Sequence, residues 1–229
     1  MPVIVDEEFG TITIRRSARA TQVRIRVAPD GTLRASMPPY APLFLLKRLI
    51  QRSRPALRTM LEHAAPEGVF TDGQQIGKSH ALLVRRGEVL SVVRRKQHII
   101  VTLPVDMELT DPRAVRKIRD MSAKALRIEA KSYLPRRLAY IADELGCQYS
   151  AVKFTHASSR WGSCSSAGVI SLNIALMKLP FELIDYVLVH ELSHTIHMNH
   201  SSAFWEQVAK GDPQYVQHKK ALKQETPTI

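Results

Sequence analysis

His190-Glu191-Leu192-Ser193-His194 places two imidazoles four residues apart with a carboxylate next to the first. On a helix, residues four apart lie one turn apart on the same face, so both rings reach one metal ion and Glu191 reaches a water that the metal activates. The chemistry served by this spacing is metal-assisted hydrolysis, with the cation as Lewis acid and the carboxylate as general base. Ile184, Val187, Leu188, Leu192 and Ile196 surround the motif. The spacing therefore predicts a mostly apolar, buried helix over 180–198, where a carboxylate is costly unless something compensates it.

A catalytic zinc takes three protein ligands and keeps a fourth position open. His197 and His200 follow the motif. His197 shares the helical face of His190 and His194, but three ligands on one straight helix cannot surround an ion. His200 comes after Met198-Asn199, where the helix is expected to end and a turn can return its ring from another direction. This reading favours His190, His194 and His200 as ligands of Zn2+ and Glu191 as the catalytic base. It leaves His197 as a helix C-terminal residue or a hydrogen-bonding neighbour of a ligand. Arg160, His156, Tyr186 and Tyr215 are the candidates for stabilising an oxyanion, and the sequence does not choose among them.

The stretch Arg160-Trp161-Gly162-Ser163-Cys164-Ser165 has two readings. Gly162 lets backbone approach something closely, and a strand here could pair with an extended substrate beside the metal helix. Alternatively, Trp161 plugs the core beneath that helix and Cys164 is a buried thiol. Neither a ligand nor a nucleophile role suits Cys164, because three histidines suffice and the hydrolytic groups are already present. Phe204 and Trp205 read as packing that seats the segment after His200, and Glu206 as a solvated helix residue or a partner to a ligand histidine. His63, His80, His98 and His218 form no group and read as surface residues.

The elements that must carry these groups divide the chain into a β-rich first half, 1–105, and a helical second half, 106–229, an α+β fold. Ile12, Ile14, Val23, Ile25 and Val27 alternate with polar residues, and Asp30-Gly31 signals a hairpin before Leu33 and Ala35. These predict half-buried antiparallel strands with Arg24, Arg26 and Arg34 on the wet face. A basic amphipathic helix is expected over 41–65, interrupted or kinked at Pro55, and further strands over 68–103. Asp111-Pro112 opens one or two helices reaching Leu145, with a break expected at Pro135. Two strands, 152–158 and 168–174, then read as a hairpin around the Trp161 loop.

Arg160-Trp161-Gly162-Ser163-Cys164, the apolar helix into H-E-L-S-H, and His197-x-x-His200-Ser201 followed by Phe204-Trp205 together resemble the YgjP-like, WLM-related metal-dependent hydrolases. The resemblance covers nearly the whole chain. It implies a minimal zincin-like domain of gluzincin or SprT-like type behind a β-rich N-terminal half. It also implies zinc on His190, His194 and His200, Glu191 as general base, a peptide or protein substrate, and a substrate-cleft role for the Trp161 loop.

Composition bounds the alternatives. The chain has 229 residues with 33 Lys and Arg against 21 Asp and Glu, a net charge of +12. Residues 1–105 hold 17 basic and 8 acidic groups, +9, while the remainder holds 16 and 13, +3. An anionic partner such as nucleic acid is thus expected at the N-terminal half, if the charge is more than a solvated surface. Two cysteines and an N-terminus without the basic-then-apolar order of a secretory signal set the expectation of a reduced, cytoplasmic protein, and no apolar run is long enough to span a bilayer. Three functions are carried forward: a zinc metallopeptidase, a zinc hydrolase of nucleotides or another non-peptide substrate, and a nucleic-acid-binding protein or nucleic-acid-recruited protease.

Overall fold

Alternating apolar and polar residues build the first sheet. In the computed structural model, which describes residues 2–18, 20–28, 32–63 and 70–229, β1 (Val3–Asp6), β2 (Gly10–Arg16), β3 (Arg24–Val27) and β4 (Leu33–Met37) lie in the order β1-β2-β4-β3. Ile12, Ile14, Leu33, Ala35 and Met37 all face inward and meet Leu46, Ile50 and Leu57 of α1 (Leu43–His63), which close a core of their own. β3 and β4 pair antiparallel as expected, but β2 and β4 run parallel, because β3 takes the outer edge and β4 inserts beside β2. The Asp30-Gly31 turn, Arg19 and the strand start near Gly68-Val69 lie outside the described residues.

The second core gathers two more sheets around one long helix. β5 (Ala81–Arg86), β6 (Ser91–Arg95) and β7 (His98–Leu103) form a sheet in the order β5-β7-β6. α2 (Pro112–Leu145) follows, then β8 (Ala151–Thr155), β9 (Gly162–Cys164) and β10 (Val169–Asn173) in the order β8-β10-β9. A 3-10 turn, Ile174–Lys178, leads to α3 (Phe181–Ser193), α4 (Ser202–Gly211) and α5 (Tyr215–Leu222). In both sheets the first and last strands run parallel and the middle one in sequence pairs antiparallel at the edge, the arrangement already seen in β2-β4-β3. Leu82, Ile99, Val101 and Leu103 share one core with Leu126, Leu134 and Leu138 of α2 and with Leu188 and Leu192 of α3.

By contacts the chain divides into units 1–69 and 70–229 rather than near residue 105. The strands β5–β7 were grouped by composition with the first half, yet their buried face belongs to the second core, and burial decides where a strand belongs. Neither proline interrupts its helix: α1 continues through Pro55 and α2 through Pro135. An interior proline costs about 3 kcal/mol. In α2, Leu126, Leu134, Leu138 and Ile141 are buried around it, each contributing roughly 2 kcal/mol, so packing outweighs the lost hydrogen bond. Asp111 accepts from the Arg113 N–H at the start of α2, and Gly146 ends it with φ 62°, the left-handed conformation that favours glycine. Among the described residues, no helix is long and apolar enough to cross a membrane.

Candidate metal centre

α3 carries H-E-L-S-H at its C-terminal end and stops a full turn before the expected 198. Ser193 Oγ donates to Val189 O at 2.8 Å and Thr195 Oγ1 to Leu192 O at 2.7 Å, and the N–H groups of Thr195 and Ile196 bond three residues back rather than four. These tightened bonds end the helix at His194 and start the turn that brings His200 round. A paired Arg137 and Asp185, at 2.8 and 2.7 Å, ties α3 to α2.

The turn succeeds in assembling the triad. One nitrogen from each of His190, His194 and His200 lies within 4.8 Å of the others. His190 Nε2 and His200 Nε2 are 3.2 Å apart. Tetrahedral zinc with bonds of about 2.0–2.1 Å places its nitrogens about 3.3 Å apart, a spacing that the His190–His200 pair matches. His194 Nδ1 lies 3.1 Å from the backbone oxygen of His197. Donation there fixes the tautomer and leaves Nε2 with its lone pair. His197 therefore serves through its carbonyl, and its ring is not part of the triad.

Packing holds the rings. Phe204, fully buried at the start of α4, has its ring centre 5.0, 4.5 and 4.7 Å from those of His190, His194 and His200. Trp205 stacks on His200 at 5.6 Å, Tyr215 stacks on Trp205 at 5.4 Å, and the Lys219 ammonium sits 3.8 Å above the indole. Burial, followed by the neighbouring His194, His200 and Lys219, lowers the His190 pKa to about 4, and burial lowers that of His194 as well. Both rings are neutral at neutral pH, the state a metal ligand requires.

Glu191 is 6% exposed and lies directly under β9. A Cβ on Gly162 would stand 2.5 Å from Glu191 Oε1 and 2.7 Å from its Cγ, so the glycine in Trp161-Gly162-Ser163 is what makes room for the carboxylate. Burial raises the Glu191 pKa to about 7, with the Arg160 charge pulling the other way. Asn173 fixes the strand's approach: its Nδ2 donates to Ala157 O at 2.6 Å and Arg160 O at 2.9 Å, and its N–H bonds Trp161 O at 2.8 Å. The hairpin expected of 152–158 and 168–174 is in fact β9–β10, while β8 and β10 run parallel. Asn173 holds the crossover between β8 and β9 that makes this possible.

Other expectations resolve around this centre. Tyr186 is buried behind His190 with its hydroxyl pushed up to about 12 by burial, and Tyr215 is engaged with Trp205. Burial and the nearby Glu191 raise the Cys164 thiol, so it stays protonated. Glu206 is exposed. Two histidines read as surface residues are not. His80 is 3% exposed against Glu129 of α2, and His218 is paired to Asp212 at 2.7 Å. Glu129 carried a signal: it falls in phase with Ala125, Leu126 and Ala130, a charge where α2 faces the core. Asn173 and Phe204 had no signal that separated them from ordinary strand and helix residues.

A family model described as YgjP-like, metallopeptidase domain, matches residues 21–225. No curated protein matches the chain. Among solved structures, the crystal structure of the metallopeptidase zymogen of Pyrococcus abyssi abylysin is 28% identical, over 39% of this chain and 91% of that one, with a TM-score of 0.36.

Proposed function

Since the chain belongs to the YgjP-like metallopeptidase family, we propose that it is a zinc-dependent peptidase in which His190, His194 and His200 hold the metal and Glu191 is the general base, acting in the cytoplasm on extended peptide segments. The observation that carries this reading is the buried carboxylate beside three converging imidazoles. Zinc held by His190, His194 and His200 would supply Lewis-acid polarisation of a carbonyl and would lower the pKa of water to about 7. Glu191, raised to about 7 by burial, takes a proton from the attacking water and returns it to the leaving nitrogen. The burial of Glu191 under β9 keeps its carboxyl largely out of contact with bulk water.

An extended substrate has a place to lie. Trp161 O and Ser165 N are bonded to β10, and Ser163 pairs with Ser171. The alternate residues, Gly162 and Cys164, therefore turn their N–H and C=O groups to the outer edge of the sheet. That edge offers main-chain pairing to a peptide. The free thiols of Cys147 and Cys164 suit a reduced compartment.

A peptide-library digest tests the reading. The zinc-loaded protein should cleave peptides, and Glu191→Gln should lower turnover about 10²–10⁴-fold with metal content unchanged. Cleavage of a nucleotide panel with no peptide hydrolysis would overturn the substrate class. Metal analysis tests the triad: His200→Ala should lose zinc and His197→Ala should keep it. The reverse result would overturn the ligand assignment.

A further inference from the structure

Positive charge and exposed apolar surface coincide at the start of α1. From residue 31 to residue 61 the sequence holds six Lys or Arg and no Asp or Glu. Five of these cations lie on α1. Arg54 and Arg58 are paired to Glu8, and Arg54 also to Asp6 at 3.1 Å, so those two tie the helix to the turn between β1 and β2. Lys47, Arg48 and Arg52 are exposed and have no carboxylate partner among the described residues.

Just ahead of these three stand four large apolar side chains that the core leaves out. Tyr40 is 84% exposed, Phe44 60%, Leu43 45% and Leu45 38%. Their neighbours Ala41 and Leu46 are buried in the first core, and Arg16 donates to the carbonyls of Pro38, Pro39 and Ala41. Anchored on both sides, the tip cannot turn its apolar groups inward without breaking these contacts. A single exposed apolar residue needs no explanation, but four within six residues do.

Size and shape select what covers the tip. At about 150–250 Å² for a fully exposed large side chain, the four offer roughly 400 Å² of apolar surface. A stable protein partner needs about 800 Å² on each side, so the tip alone is too small for one. An amphipathic surface sinks only about 5–10 Å to reach the boundary of headgroups and acyl chains in a leaflet. Phe44, Arg48 and Arg52 recur every four residues on the side of α1 opposite Leu46 and Ile50. Each cation therefore stands about 6 Å further along the axis than the group before it. With the apolar groups at the acyl boundary, Lys47 and Arg48 fall at the level of the phosphates, and their long side chains reach sideways to them. The lack of any carboxylate in this stretch removes the repulsion that a negative surface would otherwise impose. Nucleic-acid bases would stack on Tyr40 and Phe44 but gain little from Leu43 and Leu45.

We propose that the apolar tip at the start of α1, with the three cations behind it, docks on an anionic phospholipid surface. The protein rests on the leaflet without crossing it, and the contact is independent of the metal centre.

Co-sedimentation of the full chain with vesicles tests it, one set of phosphatidylcholine alone and one with about 30% phosphatidylserine. Binding should be confined to the phosphatidylserine vesicles and should weaken as salt rises from about 50 to 500 mM. Lys47→Gln, Arg48→Gln and Arg52→Gln together should lower the partition constant about 100-fold, at about fivefold per cation. Tyr40→Ser with Phe44→Ser should lower it at least about tenfold and leave the salt dependence in place. All five side chains are exposed, so thermal melting of both variants should match the parent. A control that removes the same charge from the second unit, Lys131→Gln, Arg136→Gln and Lys220→Gln, should bind within about threefold of the parent. Glu191→Gln should bind as the parent does, which separates this outcome from the fate of the peptidase reading. Absence of binding to the phosphatidylserine vesicles near 50 mM salt, equal binding to phosphatidylcholine, or an equal loss in the control would each overturn it. So would a dimer that the tip substitutions disperse, or duplex DNA held through the same three cations in place of vesicles.

Discussion

Glu129 and Glu191 are both 6% exposed, both lie on apolar stretches of helix, and both press against a glycine that no larger residue could replace without movement, Gly77 for the first and Gly162 for the second. Their charge states diverge. Glu129 collects the N–H groups of Lys78, Ser79 and His80 at 2.6, 3.0 and 3.1 Å, the Ser79 hydroxyl at 2.9 Å and His80 Nδ1 at 2.5 Å. Burial pushes its pKa up, but the His80 and backbone hydrogen bonds outweigh it and the net shift is downward. Among the described residues no donor satisfies Glu191, and burial leaves it at about 7. Donors, not depth, decide whether a buried carboxylate is held as an anion or has its pKa raised toward neutrality. The first fastens the segment before β5 to α2; the second, on the proposed function, is the one free to exchange a proton near neutral pH.

Exchanging the two roles by mutation gives the largest expected effects. Glu191→Gln should abolish most turnover while the metal-stripped protein becomes no less stable. Glu129→Gln strands the donors around it and should cost about 3 kcal/mol, read as a lower urea midpoint, with kcat of the folded fraction within about threefold of the parent. A stable but inactive Glu129→Gln would break the distinction.

Opposite pH slopes follow from the opposite shifts. For Glu191 the folded pKa, about 7, lies above the ordinary 4.5. The unfolded chain therefore ionises first, and the metal-stripped protein should lose stability as pH rises from about 4.5 to 7, by up to about 3 kcal/mol, and then level off. Glu191→Gln should flatten that limb in denaturation curves taken across the range. Glu129 has a lowered pKa, so its contribution is complete above about 4.5 and disappears as pH falls through its folded value. Glu129→Gln should remove the acid limb and leave the neutral one.

The glycines give the smallest pair of effects. Gly162→Ala should displace the Glu191 carboxylate and lower kcat about tenfold with little change in unfolding. Gly77→Ala should cost about 1–2 kcal/mol of stability, measured by thermal melting, and leave kcat alone. Equal stability losses with equal kcat losses would show that neither glycine is specific to its carboxylate.

Much of the candidate metal centre was legible because it is local. Four-residue spacing on an apolar helix fixes the relation of His190, Glu191 and His194, and a turn of six residues suffices to return His200. The outward arginines were legible for the same reason, since a strand alternates with period two whatever its partner. His80 was not, because its partner Glu129 lies 49 residues away in sequence. The parallel pairing of β8 with β10 was missed because two strands joined by a short loop look like a hairpin until Asn173 is seen holding the crossover. The prolines misled for a related reason: propensity prices one hydrogen bond, whereas the surrounding core contributes several buried side chains.

The sequence by itself determined an α+β chain, the histidine spacing, the carboxylate beside it and the uneven charge, all properties carried by residues within a turn or a strand of one another. Tertiary structure alone decided that β5–β7 join the second core, that Gly162 caps Glu191, that Phe204 sits beneath all three imidazoles, and that one buried glutamate is satisfied while the other is not. Those outcomes depend on donors and packing surfaces brought together from distant segments, and a pKa or a cavity exists only once they meet.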